Sequence, residues 1–282
     1  MMHRHENIHM DREVVFEEKI AVFREHEMHT HDALEISVLL ENEAIYRLAS
    51  RDYLGKPGDV FIFRPFEPHW TLMKNPDRPV GWTMILFSPS FVRAIPGGYK
   101  LLAPFYAMDL FQPLIAGSSS YAREIHQAAR LGLQEENNRI PGWQAVQHAM
   151  LVQVLAAIYR CYLESRAQAD PADSELEDGI IRVIEHLLRH YAESVDGSLL
   201  ISLSGVGKTK FYQTFQAITG LSPNDFITYL RLQHAAHLLK FSQQPITELA
   251  FECGFNSISY FNRVFKQNKG VSPREYRGAA QR

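Results

Sequence analysis

ITELAFECGFNSISYFNRVFK, residues Ile246–Lys266, reads as a short helix, a turn holding Gly254 and a second short helix. In the second helix Phe261 and Phe265 stand at i and i+4 and form one apolar stripe. Ser259, Asn262, Arg263 and Lys266 fall away from it. A polar and basic helix behind a glycine turn is the helix-turn-helix pattern, whose second helix enters the DNA major groove. Arg and Asn there reach guanine O6/N7 or adenine N6/N7, while Lys and helix N-termini hold phosphate.

The same pattern occurs upstream, in SGVGKTKFYQTFQAITG (Ser204–Gly220). Phe211, Phe215 and Ile218 make the apolar stripe; Thr209, Tyr212, Gln213 and Gln216 lie opposite, with Lys208 at the start. Gly207-Lys208-Thr209 invites a nucleotide-loop reading, but that loop needs G-x-x-x-x-G-K-[ST] after a strand. Ser202 stands at the first glycine position and no strand precedes it, so ATP binding is set aside and Lys208 is assigned to DNA phosphate. Between the two units Ser222-Pro223 opens a helix to Phe241. Its length, about 28 Å at 1.5 Å per residue, is close to the roughly 34 Å between successive major grooves on one face of DNA.

Charge supports this division. Residues 198–282 carry ten Lys and Arg against four Asp and Glu, a balance of +6, whereas the first 197 residues stand at −9. A basic end on an acidic body points to a polyanionic partner for the C-terminal part alone. The apolar run Ala149–Leu163 is broken by Gln153 and Arg160, so no membrane partner is expected. MMHRHENIHM has no apolar core, so export is not expected and a cytoplasmic location is. Cys161 and Cys253 read as buried free thiols.

From Val14 to Ser88 the pattern is β: ALEISVLL, AIYRLAS, DVFIF and GWTMILF alternate with turn chemistry. Many short strands at this spacing predict a small barrel or sandwich. Residues 89–117 read as irregular with a short helix, and helices are predicted over Ser119–Asn137 and Pro141–Arg166. Val146, Met150, Val154, Ala157, Ile158 and Cys161 make the second apolar around much of its girth. It must be covered by the β domain or by a second subunit. AQADPADS (Ala167–Ser174) reads as a linker, with Ser174 and Glu177 as a capping box opening a helix to Tyr191.

Residues 175–282 resemble the DNA-binding domain of the AraC/XylS family of bacterial transcription regulators. The R-L-x-x-A-x-x-L-L run (Arg231 to Leu239), the G-F-x-S-x-S-Y-F-x-R-x-F-K run (Gly254 to Lys266) and the G-x-S-P-x-x-Y-R ending (Gly270 to Arg277) carry the likeness. It departs at Ile201, where the family usually has a small Ala. The resemblance implies recognition helices at 208–218 and 257–267. It also implies DNA-facing roles for Lys208, Thr209, Tyr212 and Gln213, and for Ile258, Ser259, Asn262, Arg263 and Lys266. Phe211, Phe215, Phe255, Phe261 and Phe265 are expected in the core.

MHTHDALEI places His29 and His31 two apart and Glu35 four beyond, with His69 ending GDVFIFRPFEPHW. H-x-H-x3-E with a distant His resembles the cupin metal site. Leu34, Ile36, Val38 and Leu40 have the opposite parity to Glu35, however, so if they line the lumen Glu35 faces out. Sensor domains of the family often keep the histidines without an ion, and neither metal nor cofactor is expected. His29, His31, Glu35, Arg64, His69 and Trp82 are the candidate effector-binding residues, with Tyr46, Phe61, Phe63 and Trp70 as further aromatic walls. His3, His5 and His9 are expected in a solvated tail.

The fold expected is α+β and multidomain. A cupin-like β-barrel sensor occupies 1–115, a helical dimerisation segment 116–170, and an all-α double helix-turn-helix domain 174–282. The partners expected are double-stranded DNA, a small-molecule effector of the sugar type, a second copy of the chain and RNA polymerase. A sequence-specific regulator of transcription, not an enzyme, is expected. The alternatives are a cupin metalloenzyme fused to a DNA-binding module and a constitutive DNA binder with an inert barrel.

Overall fold

The computed structural model describes residues 4–5, 12–21, 29–48, 51–75, 77–107, 111–168 and 171–280. The chain divides into two compact units, Met1–Phe91 with Pro96–Ser174, and Glu175–Arg282 with Val92–Ile95.

The first unit opens with strands β1 (Arg4–His5), β2 (Val14–Ala21), β3 (His29–Thr30), β4 (Leu34–Glu41) and β5 (Ala44–Leu48). It continues with β6 (Arg51–Gly55), β7 (Val60–Phe63), β8 (His69–Met73) and β9 (Val80–Phe87). Two 3-10 turns, Pro89–Ala94 and Gly98–Leu102, lead to α1 (Ala103–Tyr106) and β10 (Leu114–Ile115). One sheet runs β1-β3-β8-β5-β6 and the other β10-β7-β4-β9-β2. Leu39, Phe61, Phe63, Met84 and Leu86 of the second sheet and Ala44, Tyr46, Leu48 and Met73 of the first share one core. The two sheets thus enclose a common interior.

Directly opposed residues on antiparallel strands point to the same side. Phe16, Ile85, Ile36 and Ile62 form one such row, and Val15, Leu86, Glu35 and Phe63 the next. The second row, with Leu86 and Phe63, faces the interior. The first faces helix α2 (Ser120–Asn138), where a Cβ on Gly132 would lie 2.4 Å from the Phe16 ring. Only glycine lets that helix approach so closely. Full burial of Phe16 contributes about 1.5–3 kcal/mol to the unit.

Helix α3 (Trp143–Ala167) buries Leu151, Val154, Leu155, Ala157, Ile158 and Tyr162, so its own unit covers one side. Val146 and Leu163 remain exposed, and Met150 and Cys161 are half-buried, so Cys161 departs from the expected full burial.

Helix α4 (Pro171–His190) starts three residues before Ser174, so Ser174 is not a cap. Proline tolerates the first helical turn because its missing N–H would have no partner there. The second unit continues with α5 (Gly197–Ser204), α6 (Lys208–Thr219), α7 (Pro223–Phe241), α8 (Ile246–Glu252), α9 (Ile258–Lys269) and α10 (Pro273–Ala280). Helix α7 buries Phe226, Leu230, Leu232, Ala235, Ala236 and Leu239. Its C-terminal half shares a core with Leu249, Phe255, Phe261 and Phe265. The α4 segment touches both helix-turn-helix units. A Cβ on Gly179 would lie 2.0 Å from Ser204 O, and one on Gly254 2.5 Å from Ala192 O.

Candidate nucleic-acid interface and effector chamber

Helices α6 and α9 are copies at an offset of 50 residues, Lys208 matching Ile258 and Phe211 matching Phe261. Phe211, Phe215, Phe261 and Phe265 are fully buried, and Phe255 is buried beside them. This stripe fixes which side of each helix is left to solvent. Lys208, Thr209, Tyr212 and Gln213 are all exposed on α6, as are Ser259, Asn262, Arg263 and Lys266 on α9. Ile258 differs: it is half-buried and packs on the core of Leu249 and Phe261, which takes up part of the surface a base contact would use.

The two N-termini are built differently. Ser257 Oγ accepts from Tyr260 N at 3.3 Å and caps α9, whereas Gly207 at the start of α6 offers no side chain. The first amides of α6 are therefore left for an external acceptor beside Lys208. Both helices end in left-handed glycines, Gly220 and Gly270, each followed by a serine cap and a proline. Lys210 and Tyr260, which hold the same place in the two copies, are also exposed. Arg263 lies over the Tyr260 ring at 5.4 Å, so the arginine is shaped by a neighbour that the stripe pattern did not single out.

Behind the helices sits a polar cluster. Tyr191 OH bonds His234 Nδ1 at 2.8 Å, and Arg231 donates to Tyr191 O and Glu193 O at 2.7 and 2.9 Å. Burial pushes the His234 imidazole down to about 4.

In the first unit the histidines meet. His29 pairs with His69 across β3 and β8, and their ring centroids are 4.6 Å apart; His31 and His69 are 5.0 Å apart. His31, His69 and Glu35 are buried and His29 is half-buried. Glu35 points inward, so the condition under which it would face out, that Leu34, Ile36 and Val38 line the lumen, does not hold. Both faces of β4 are buried, and its apolar set Leu34, Ile36 and Val38 meets the helix side. Burial alone would raise the Glu35 carboxyl, but hydrogen bonds from His31 and His69 hold it well below the usual range. His69 is raised: burial opposes its charge, and Glu35 more than offsets that.

The loop carrying His69 is held in an uncommon shape. Phe66 has φ of 63° and donates its N–H to His31 O at 2.8 Å. Arg64 is 3.5 Å from Glu67 at this rim. Trp82 is buried in the interior beside Leu39, two interior rows from Glu35. Tyr46 and Phe61 stack at 3.8 Å, and the Tyr46 OH meets Ser37 Oγ at 3.2 Å. Phe63 stacks on His69 at 4.4 Å. Trp70 is not an interior wall: it pairs with Arg47, whose guanidinium lies 5.0 Å over it, on the face opposite Tyr46. His3 and His9 lie outside the described residues. A separate surface cleft of about 560 Å³ is lined by Asn42, Glu43, Pro57, Lys74, Asn75 and Arg78, none of them predicted site residues.

The AraC-like ligand binding domain family matches residues 20–182, and a helix-turn-helix domain family matches residues 202–279. The chain is 24% identical over 250 residues to the HTH-type transcriptional activator RhaS of Escherichia coli O1:K1 / APEC, covering 88% of this chain and 86% of that one. It is 25% identical over 252 residues to the HTH-type transcriptional activator RhaR of Yersinia pestis bv. Antiqua (strain Angola), covering 88% and 83%. The DNA-binding domain of AdpA, solved with a target DNA, is 29% identical, covering 37% of this chain and 94% of that one, with a TM-score of 0.36. Among the described residues no helix is long and apolar enough to cross a membrane. With the ligand-binding family matching more than half of its length ahead of a helix-turn-helix domain, the chain belongs to the AraC family of transcription regulators.

Proposed function

We propose that α6 and α9 enter successive major grooves of one operator and that a small polar effector in the barrel alters that binding. The observation carrying the DNA reading is the duplicated helix: two copies bury the same phenylalanine stripe and leave polar and basic side chains outside. Thr209, Tyr212 and Gln213 read bases from α6, and Ser259, Asn262 and Arg263 from α9. Lys208 and Lys266 hold phosphate, the former with the open amides of α6. Selection of binding duplexes from random sequence tests this. Two protected major-groove segments about one turn apart are expected, and a single short footprint would refute the paired reading.

For the effector, the support is the mixture of His31, His69, Glu35, Ser37 and the Tyr46 OH with aromatic walls, which suits a molecule bearing several hydroxyls, such as a sugar. Binding shifts the population toward the form favoured by its differential affinity. A metabolite panel read by melting temperature and operator affinity tests it, and no shift across sugars and related polyols would sink it. The exposed Val146 and Leu163 on α3 support self-association through that helix in the cytoplasm. RNA polymerase is the further partner we propose, by analogy with relatives named as transcriptional activators. The cupin metalloenzyme alternative has less behind it, since the relatives spanning 88% of the chain bear the names of transcriptional activators.

A further inference from the structure

Tyr260 and Arg263 stand three residues apart on α9, so their side chains are neighbours on one face of that helix. Both are exposed, and the Arg263 guanidinium lies 5.4 Å over the Tyr260 ring. Long side chains on a helix lean toward its N-terminus, the end that a recognition helix presents to base edges. Tyr260 is itself held from behind. Its ring centroid is 6.2 Å from that of Phe255, which is buried and lies 5.0 Å from Phe261. A line of three rings therefore runs from the core, through the turn before α9, to the guanidinium.

An exposed arginine loses rotamer freedom when it engages a base, and that loss comes out of the affinity. Arginine recognises guanine as a planar fork, with its N–H groups on O6 and N7, so a guanidinium already held in one plane gives up less. Stacking on an aromatic face is a contact that fixes such a plane. The first copy has no equivalent. At the same offset of 50 residues, Gly205 stands for Phe255, Lys210 for Tyr260 and Gln213 for Arg263. Glutamine matches adenine, and no aromatic residue type stands behind it at these places.

We propose that Tyr260 is a positioning residue: its ring, braced by Phe255, holds the Arg263 guanidinium ready for a guanine. Helix α9 then discriminates at that base pair more sharply than an unsupported arginine would. This role rests on Arg263 reading a base, and it gives part of the selectivity to a ring that need not touch DNA.

The test takes the full chain and the duplex selected from random sequence, with each other base pair placed in turn where Arg263→Ala relaxes preference. Tyr260→Ala should reduce the preference for guanine there about two- to fivefold, the range of an exposed cation–π contact. Binding to random-sequence DNA and the salt slope should not change. Tyr260→Phe keeps the ring and should keep the preference. The Tyr260→Ala/Arg263→Ala double variant should match Arg263→Ala alone, because the ring acts only through the arginine. Full preference in Tyr260→Ala, beside relaxed preference in Arg263→Ala, overturns the positioning role and leaves the base contact standing. Equal losses on every duplex for Tyr260→Ala and Tyr260→Phe would make the hydroxyl a phosphate contact and overturn it too. If Arg263→Ala relaxes no base pair, or one that is not G·C, the guanine contact itself fails and the role of Tyr260 with it. Should Tyr260→Ala lose helix content in far-ultraviolet circular dichroism, Tyr260→Leu, which has no aromatic face, takes its place under the same outcomes.

Discussion

Gly254→Ala should destabilise the second unit far more than Gly270→Ala, although both glycines adopt positive φ, 88° and 76°. A left-handed alanine costs about 1–2 kcal/mol at either place. Around Gly270 a new Cβ meets nothing within 4 Å, so that is the whole cost there. At Gly254 the Cβ would fall 2.5 Å from Ala192 O and 2.7 Å from Ala192 Cα. These are backbone atoms that cannot rotate away, and overpacking of this kind adds about 1–3 kcal/mol. Gly254→Ala is therefore expected to cost about 2–5 kcal/mol, at least about 1 kcal/mol more than Gly270→Ala. Urea unfolding followed by far-ultraviolet circular dichroism measures both. The three tryptophans, Trp70, Trp82 and Trp143, all lie in the first unit, so their fluorescence reports separately on that unit and should not shift. Operator affinity should fall with Gly254→Ala, which forces the α8–α9 turn off the α4 segment, and hold with Gly270→Ala. Equal costs for the two variants would refute the packing of that turn against Ala192.

Arg263→Ala should cost about 1–3 kcal/mol on the selected operator and relax preference at one base pair, whereas Lys266→Ala should weaken all sequences and flatten the salt dependence by about one unit; band-shift titrations at several salt concentrations separate them. Gly132→Ala should cost the first unit about 1–3 kcal/mol in tryptophan-monitored unfolding, because its Cβ meets the Phe16 ring, and Phe16→Leu should recover part of that loss. Ser257→Ala removes the cap of α9 and should lower stability by about 1 kcal/mol, with little change in the chain's response to salt. His234 has a folded value near 4, below the roughly 6.5 of an unfolded histidine, so the unfolded chain binds more protons between these limits. Stability of the second unit should therefore fall as pH drops from about 6.5 toward 4, and melts of His234→Phe should lack that part of the fall.

The C-terminal unit was legible because its signals are local. A phenylalanine repeated at i and i+4, a glycine at the turn and Ser-Pro after each reading helix specify the element and its buried side together. The barrel was legible as strands, but not in which side of each strand faces inward. On β4 every residue from Leu34 to Leu39 is buried, so alternation of apolar groups marks the helix-covered side as readily as the lumen. Parity alone therefore left the side of Glu35 open. Trp70 was taken for a wall because it is aromatic, and only the register with Arg47 puts it outside. Ser174 had the cap pattern, but Pro171 satisfies the first turn sooner. Ile258 is half-buried on the core beneath α9, a degree of burial that the likeness alone did not indicate.

Helix α4 abuts the first turn at Gly179, and Ala192, just past its end, abuts the second at Gly254. The 19-residue rod between the two reading helices is about 28 Å long, some 6 Å short of a full helical repeat of straight DNA. If α6 and α9 read successive grooves at that spacing, the mismatch would fall on the duplex, which would curve toward the protein to present both grooves. On that reading, steps that kink easily, such as TA or CA, would be favoured in the stretch between the grooves, and operators would be ranked by their pliancy as well as by their lettering.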